Sequence, residues 1–177
     1  ELRQAFLLTN SAWISIALFG SLPFLLSDID MSFIDAFFES TSGITTTGAT
    51  VIENLEAKSH GILIWRALLQ WLGGVGIIVM ALAVLPMLSI GGMQLFKTES
   101  YETPDKVVPK AASFAAGISI VYITLTVIWA FMLWGAGMPI FDSIAHAMTT
   151  LATGGYSTKS ESLAAFNSST IEIIIIL

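Results

Sequence analysis

Three long apolar runs constrain this chain more than any other feature of its sequence. They cover residues 5–26, 61–90 and 111–133, and a fourth run starts at Thr170 and reaches Leu177. A helix needs about 20 mostly apolar residues to cross the hydrocarbon core of a bilayer, and the first three runs are long enough. Charged residues make up only 11% of the chain, whereas about 25% is usual in soluble domains. The pattern predicts an all-α membrane protein.

The composition also excludes several classes of function. The formal net charge is −6, which argues against a nucleic-acid-binding face. The chain has no cysteine, so disulfides and thiolate metal sites are excluded. His60 and His146 are not clearly paired with a nucleophile, so we expect neither an enzyme nor a bound organic cofactor. The fourth apolar run has barely begun when the sequence stops, and we therefore expect a fragment of a longer protein.

The stretch Ser40–Thr50, which reads STSGITTTGAT, lies between apolar segments. Nine of its eleven residues are Ser, Thr or Gly. It is either a flexible linker or backbone held in an unusual conformation inside the membrane. Non-helical backbone at membrane depth is tolerated only where protein buries it or where it lines a watery cavity. A shorter version, TTLATGGYST, covers Thr149–Thr158, and we interpret the pair as two ion-selectivity loops.

An internal repeat relates the two loops at an offset of 107 residues. It pairs Asp35 with Asp142, Thr46 with Thr153, Gly48 with Gly155, and Thr50 with Ser157. Each unit reads as a long helix, a short helix, a Thr/Gly loop and a long helix. Self-similarity of this kind indicates a repeat architecture. The predicted fold is therefore a tandem of helix, pore helix, filter loop and helix, as in potassium channels.

The distribution of Lys and Arg predicts the orientation of the chain in the membrane. Arg3 and three lysines (Lys97, Lys106 and Lys110) lie on the side that we expect to be cytoplasmic. Lys58 and Lys159 lie on the other side among several carboxylates. The two loops then enter the membrane from outside, beneath an acidic vestibule that would concentrate cations.

Loops of this composition suit a monovalent cation. Rings of backbone carbonyls can replace the water of a dehydrated ion, as in potassium channels, and Gly tolerates the dihedral angles that such a loop requires. Neither loop contains Asp or Glu, which argues against a strong site for divalent cations. The predicted potassium-binding residues are Thr46, Thr47, Gly48 and Ala49 in the first loop, and Thr153, Gly154, Gly155 and Tyr156 in the second.

Several stretches together resemble Trk-type bacterial potassium uptake proteins, of the superfamily that includes the Ktr and plant HKT transporters. They are FFESTSGITTTGATV, WRALLQWLGGVGIIVMALAVLP, IGGMQLFKTES and AHAMTTLATGGYSTKSES. The resemblance implies a pore subunit of four repeats in the bacterial inner membrane, of which this chain is similar to the first two. It also implies that the pore subunit forms a homodimer, contacts membrane lipid and binds a cytoplasmic nucleotide-binding regulatory subunit. The family's filter glycine would fall on Gly48 and Gly155. A register shifted by one residue would bring in Thr45 and Ala152.

These observations divide the chain as follows. Residues 1–90 form the first pore repeat, with a span at 5–26, a pore helix and filter loop at 35–50, and a span at 61–90. Residues 91–110 form a cytoplasmic connection. Residues 111–177 form the second repeat, truncated in its last span.

Four polar residues in apolar surroundings need partners. Glu39, on the first pore helix, is either a functional charge or the partner of Arg66. Arg66 is either a functional charge near the pore, or a side chain that snorkels to the outer surface or pairs with pore-helix carbonyls. Gln70 is expected to be an interhelical hydrogen-bond donor, and His146 a packing residue. Asp35 is expected to be the N-cap of the first pore helix.

Other functions stay open. A solute channel of the aquaporin kind would place paired Asn-Pro turns at the membrane centre, and the chain contains no Asn-Pro. A non-conducting scaffold or assembly subunit would have no need of two matched Thr/Gly loops. A pore for another monovalent cation would share every feature described above.

Overall fold

The computed structural model describes residues 2–88 and 107–177, and within these ranges the chain forms helices and no strand. The predicted all-α fold is therefore confirmed. The α-helices are α1 (Leu2–Leu26), α2 (Phe33–Ile44), α3 (His60–Leu88), α4 (Val107–Gly135), α5 (Ile140–Leu151) and α6 (Ser169–Ile176). Short 3₁₀ helices at Leu55–Ala57 and Ser162–Phe166 lie in the segments before α3 and α6.

The order of a long helix and then a short helix occurs twice. The long helix α3 follows the first pair, and the eight-residue helix α6 follows the second pair. We call α1, α2, α3 and the segments between them the first unit, and α4, α5, α6 and the segments between them the second unit. Phe6–Leu26, His60–Ile78 and Ala116–Gly135 are long and apolar enough to span a membrane. Most of the predicted connection at 91–110 lies outside the described residues, and its last four residues belong to α4.

The short helix α2 begins earlier than the sequence pattern suggested. Its N-cap is Ser32, not Asp35. The Asp35 backbone N–H donates to the Ser32 hydroxyl (3.2 Å), and that hydroxyl donates to the Asp35 carboxylate (2.7 Å). The prediction for Asp35 was wrong because a hydroxyl three residues upstream satisfies the first turn, with the carboxylate at the third helical position as in a capping box.

Each unit has an apolar core where its three helices meet. In the first unit the buried cluster includes Phe24, Ala36 and Leu69. In the second unit it includes Leu133 and Ala147. Large apolar side chains also cover the outer faces of the long helices, such as Leu8, Phe19 and Ile120. An exposed apolar surface of this extent fits a protein whose solvent is lipid.

Helix α3 packs against the short helices of both units. Two adjacent glycines make this possible. A Cβ on Gly73 would collide with the backbone carbonyl oxygen of Ile44, at the end of α2. A Cβ on Gly74 would lie 2.7 Å from the Tyr122 hydroxyl and 3.1 Å from the Cα of Ala152, just after α5. One long helix therefore touches the carboxyl ends of α2 and α5, from which the two Thr/Gly loops start.

Candidate functional site

The two Thr/Gly loops leave their helices with the same backbone geometry. In the first loop Thr46 and Gly48 have positive φ angles of 56° and 82°, and in the second loop Thr153 and Gly155 have 54° and 79°. Left-handed backbone is ordinary for Gly and rare for a β-branched residue such as Thr. Left-handed residues at alternate positions allow successive carbonyl oxygens to face the same side of the chain. The loops therefore share the conformation as well as the sequence of the repeat.

The turn that starts each loop explains the left-handed conformation of Thr46 and Thr153. The Thr47 N–H donates to the Ser42 carbonyl (2.9 Å), and the Thr46 N–H donates to the Gly43 carbonyl (3.0 Å). This is the Schellman arrangement, whose left-handed position is usually glycine. The second loop has the same arrangement. The Gly154 N–H donates to the Thr149 carbonyl (2.9 Å), and the Thr153 N–H donates to the Thr150 carbonyl (2.8 Å).

A polar side chain on each short helix holds the far end of its own loop. The Thr50 hydroxyl donates to the Glu39 carboxylate at 2.8 and 3.1 Å. At the equivalent positions of the second unit, His146 Nε2 lies 3.0 Å from the Ser157 hydroxyl. His146 therefore makes a specific hydrogen bond in addition to packing. A carboxylate in one unit and an imidazole in the other make the same link to a loop hydroxyl.

Glu39 and Arg66 form a fully buried ion pair. The guanidinium Nε donates to Glu39 Oε1 at 2.8 Å, and the Glu39 and Arg66 side chains are 0% and 1% exposed. The Val51 N–H donates to the other carboxylate oxygen at 3.0 Å. Of the two explanations offered for Glu39, the structure shows the pairing with Arg66. Burial of both charges is tolerable because each is paired and further hydrogen bonds use the remaining oxygen and N–H groups.

Helix α3 also reaches across to the loop of the second unit. Arg66 Nη1 donates to the Ser157 carbonyl at 2.9 Å. Gln70 Nε2 donates to the Gly154 carbonyl at 2.8 Å, and Gln70 Oε1 accepts from the Tyr156 N–H at 3.1 Å. Gln70 is thus a donor, as predicted, but to loop backbone and not to another helix.

Tyr156 completes this cross-unit cluster from the second loop. Its hydroxyl donates to the Glu39 carbonyl at 2.9 Å and lies 3.3 Å from the Ala49 carbonyl. The Arg66 guanidinium carbon lies 4.0 Å from the centre of its ring, within the range of a cation–π contact. Tyr156, a residue of the second loop, therefore contacts α2, α3 and the first loop.

The predicted potassium-binding residues differ in exposure. Thr47, Ala49, Thr153 and Gly155 are exposed, Thr46 and Gly48 are half-buried, and Gly154 and Tyr156 are buried. Of the residues that a shifted register would add, Thr45 is exposed and Ala152 is buried. The assignment of these residues to an ion stays a prediction.

The two filter glycines have different surroundings. A Cβ on Gly48 would collide with the Gly154 carbonyl oxygen, so the first loop lies directly against the second. A Cβ on Gly155 would meet no heavy atom of the described residues within 4 Å. Gly155 therefore faces open space, whereas Gly48 faces protein.

The segments that follow the two Thr/Gly loops are also joined. The Glu56 carboxylate accepts from the Ser160 N–H at 2.7 Å and from the Ser160 hydroxyl at 2.8 Å. The backbone N–H of Ser160 is the main cause that lowers the pKa of the Glu56 carboxyl below its ordinary value of 4.5.

Asp142, on α5, accepts from the Thr158 hydroxyl at 2.6 Å and lies 3.9 Å from the Lys159 ammonium.

Comparison with known proteins identifies relatives along the whole chain. A family model described as TrkH, cation transport protein, matches residues 1–177. The potassium uptake protein TrkH of Salmonella typhimurium is 46% identical over 98% of this chain and 36% of the relative. TrkI of Halomonas elongata is 44% identical over 92% of this chain and 33% of the relative.

A solved structure gives the same result for the fold. The crystal structure of the potassium transporter TrkH from Vibrio parahaemolyticus superimposes with a TM-score of 0.86 at 43% identity, over 98% of this chain and 34% of that one. The chain spans about a third of the length of the relatives that it matches. Because the family model covers every residue, this membrane protein belongs to the TrkH family of cation transport proteins.

Proposed function

We propose that this chain is part of a potassium-conducting pore subunit, which passes K⁺ into a bacterial cell across its inner membrane and is not an enzyme. The observation that carries the proposal is the pair of loops with left-handed residues at equivalent positions, Thr46 and Gly48, Thr153 and Gly155. Strained backbone that recurs in two repeats supports a functional role. The names of the relatives, which are potassium uptake proteins, support K⁺ as the transported ion.

In this proposal residues 1–90 and 111–177 are two pore repeats, and residues 91–110 connect them in the cytoplasm. Backbone carbonyls of residues 46–49 and 153–156 contribute to the site through which the ion passes. The Gly154 carbonyl already accepts from Gln70, so its contribution is shared with the protein. Each short helix ends at its loop and directs the negative end of its dipole towards the ion.

The proposal extends to the assembly. Four such repeats enclose one pore, and two of them are present in these 177 residues. A homodimer of the pore subunit and a cytoplasmic nucleotide-binding subunit follow from the resemblance to Trk-type proteins. The apolar faces of α1 and α4 support contact with lipid.

The test is potassium-limited growth of a bacterium that lacks its own uptake systems. It would express the polypeptide that contains these residues, as parent or with Gly48→Ser or Gly155→Ser. A residue with a Cβ costs roughly 1–2 kcal/mol in the left-handed conformation, which corresponds to about a tenfold change in an equilibrium. We therefore expect initial K⁺ uptake to fall by about tenfold or more in both variants.

Gly137→Ser is the matched control. Gly137 has a φ of 98° with open surroundings, as Gly155 does, but lies in the turn between α4 and α5. It should keep parental uptake. Uptake and cation preference that survive both loop substitutions would contradict the filter assignment. A parent that reaches the membrane and restores no growth would favour the scaffold, and uptake of Na⁺ alone would favour a pore for another cation.

A further inference from the structure

The first unit supplies the groups that hold the loop of the second unit. Arg66 and Gln70, four residues apart on α3, both face this loop, as residues one helical turn apart do. Together they make one bond to Ser157, one to Gly154 and one to Tyr156. All three bonds are to backbone atoms, so they set the path of the loop and not the position of a side chain. We call Arg66, Gln70 and Glu39, the partner of Arg66, the polar frame.

Among the described residues, the polar frame occurs at this junction and has no counterpart on α6. At the repeat offset of 107 residues, Glu39 corresponds to His146, Arg66 to Ile173 and Gln70 to Leu177. The second unit therefore has neither the ion pair nor the amide at these positions. An arrangement required merely to fold the repeat would be expected in both units, which indicates that the polar frame serves the contact between the two loops.

Charge compensation makes Arg66 compatible with a cation path. A lone guanidinium this close to both loops would repel a passing cation. Glu39 lies 2.8 Å from Arg66 and is fully buried beside it, so the pair adds N–H donors and no net charge. The ring of Tyr156, from the second loop, also lies against the guanidinium.

We propose that Arg66 and Gln70 are positioning residues that hold the second loop in its ion-selecting conformation, while Glu39 neutralises Arg66. This inference rests on the proposed function. None of the three side chains needs to touch the ion. The first unit, through α3, then controls the cation preference of the second unit's loop.

Two variants remove the polar frame without leaving an unpaired charge. Gln70→Met keeps the length of the side chain but loses both bonds to the loop. The double variant Glu39→Gln/Arg66→Met loses the bond to Ser157, while the new amide at position 39 can still accept from the Thr50 hydroxyl. Trp71→Phe is the control, because it removes one hydrogen bond of α3 that goes to Thr126 on α4 and not to a loop.

The measurement is the ratio of K⁺ to Na⁺ initial uptake in cells, with the amount of each protein in the membrane determined in parallel. Both frame variants should lower the ratio by about tenfold, which corresponds to about 1.4 kcal/mol of lost discrimination between the ions. Trp71→Phe should keep the parental ratio. A frame variant that loses K⁺ and Na⁺ uptake in equal proportion would show a role in folding alone and overturn the proposal.

Arg66→Lys is a milder variant that tests the proposal if Gln70→Met or Glu39→Gln/Arg66→Met prevents insertion of the protein into the membrane. It keeps the charge opposite Glu39 but lacks the planar fork that serves two acceptors, so the ratio should still fall. A parental ratio in abundant Arg66→Lys protein also overturns the inference. Failure of the proposed function is distinguishable, because the parent itself would then take up no K⁺.

Discussion

At the residue scale, the buried ion pair of Glu39 and Arg66 determines how far the chain tolerates substitution. Ionisable residues inside a membrane are rare and normally paired or functional. Here each charge has its partner and at least one further hydrogen bond. The pair is therefore best understood as one neutral unit whose halves cannot be removed separately.

Replacement of one charge of the pair should lower the free energy of unfolding far more than replacement of both charges. Arg66→Met leaves the Glu39 carboxylate buried without its cation, and we expect the free energy of unfolding to fall by about 3–5 kcal/mol. Glu39→Gln/Arg66→Met should recover most of this loss, because a neutral pair needs no compensation. Chemical unfolding in detergent micelles measures both values. Equal losses in the single and double variants would mean that the charges do not interact strongly.

The sequence allowed some of these contacts to be predicted. Two opposite charges in apolar segments of one unit suggest a pair, and that pair exists. The bonds from Arg66 and Gln70 to the second loop join residues 91 and 84 positions apart, and no local pattern encodes such a distance. One local signal was present and overlooked, since Ser32 followed by Asp35 matches a capping box.

At the element scale, α3 is the helix that packs against both units. The long helices could be predicted because apolar runs of this length fold in only one way in lipid. The left-handed threonines could not, because Thr is intrinsically unfavourable there and only the turn after each short helix imposes the conformation. The shared role of α3 also depends on Gly73 and Gly74, whose contacts are visible only in three dimensions.

Gly73→Ala should therefore destabilise the protein although Ala is the better helix former. The new methyl group would meet the backbone carbonyl of Ile44, which cannot rotate away, and overpacking of this kind costs about 1–3 kcal/mol. Gly117→Ala on α4 is the matched control, because a Cβ there meets no described atom within 4 Å. Unfolding in micelles should show a loss for the first variant only. A similar loss in both would point to a general requirement for glycine in these helices.

At the scale of the whole molecule, the two units are joined at two levels. Beside the two loops the join is the cluster of Arg66, Gln70 and Tyr156. In the segments that follow the loops it is the contact between Glu56 and Ser160, which we call the clasp, with the Leu55 N–H also donating to the Ser160 hydroxyl at 3.1 Å. Glu56 and Ser160 are exposed to solvent, so the clasp is the join that depends on the pH of the solution.

The clasp should stabilise the protein near neutral pH and fail in acid. Because folding lowers the pKa of Glu56 below 4.5, the ionised form is favoured in the folded protein, and the stabilisation is complete above that pH and lost as pH falls through the lowered pKa. The melting temperature of Glu56→Gln should therefore lie below that of the parent at pH 7, and the difference should disappear in acid. Glu53→Gln removes the same charge from the same segment, where the described residues give Glu53 no hydrogen bond, and should show no such pH-dependent difference. If the difference in melting temperature between Glu56→Gln and the parent persisted unchanged below the lowered pKa, the carboxylate charge would not be what holds the clasp.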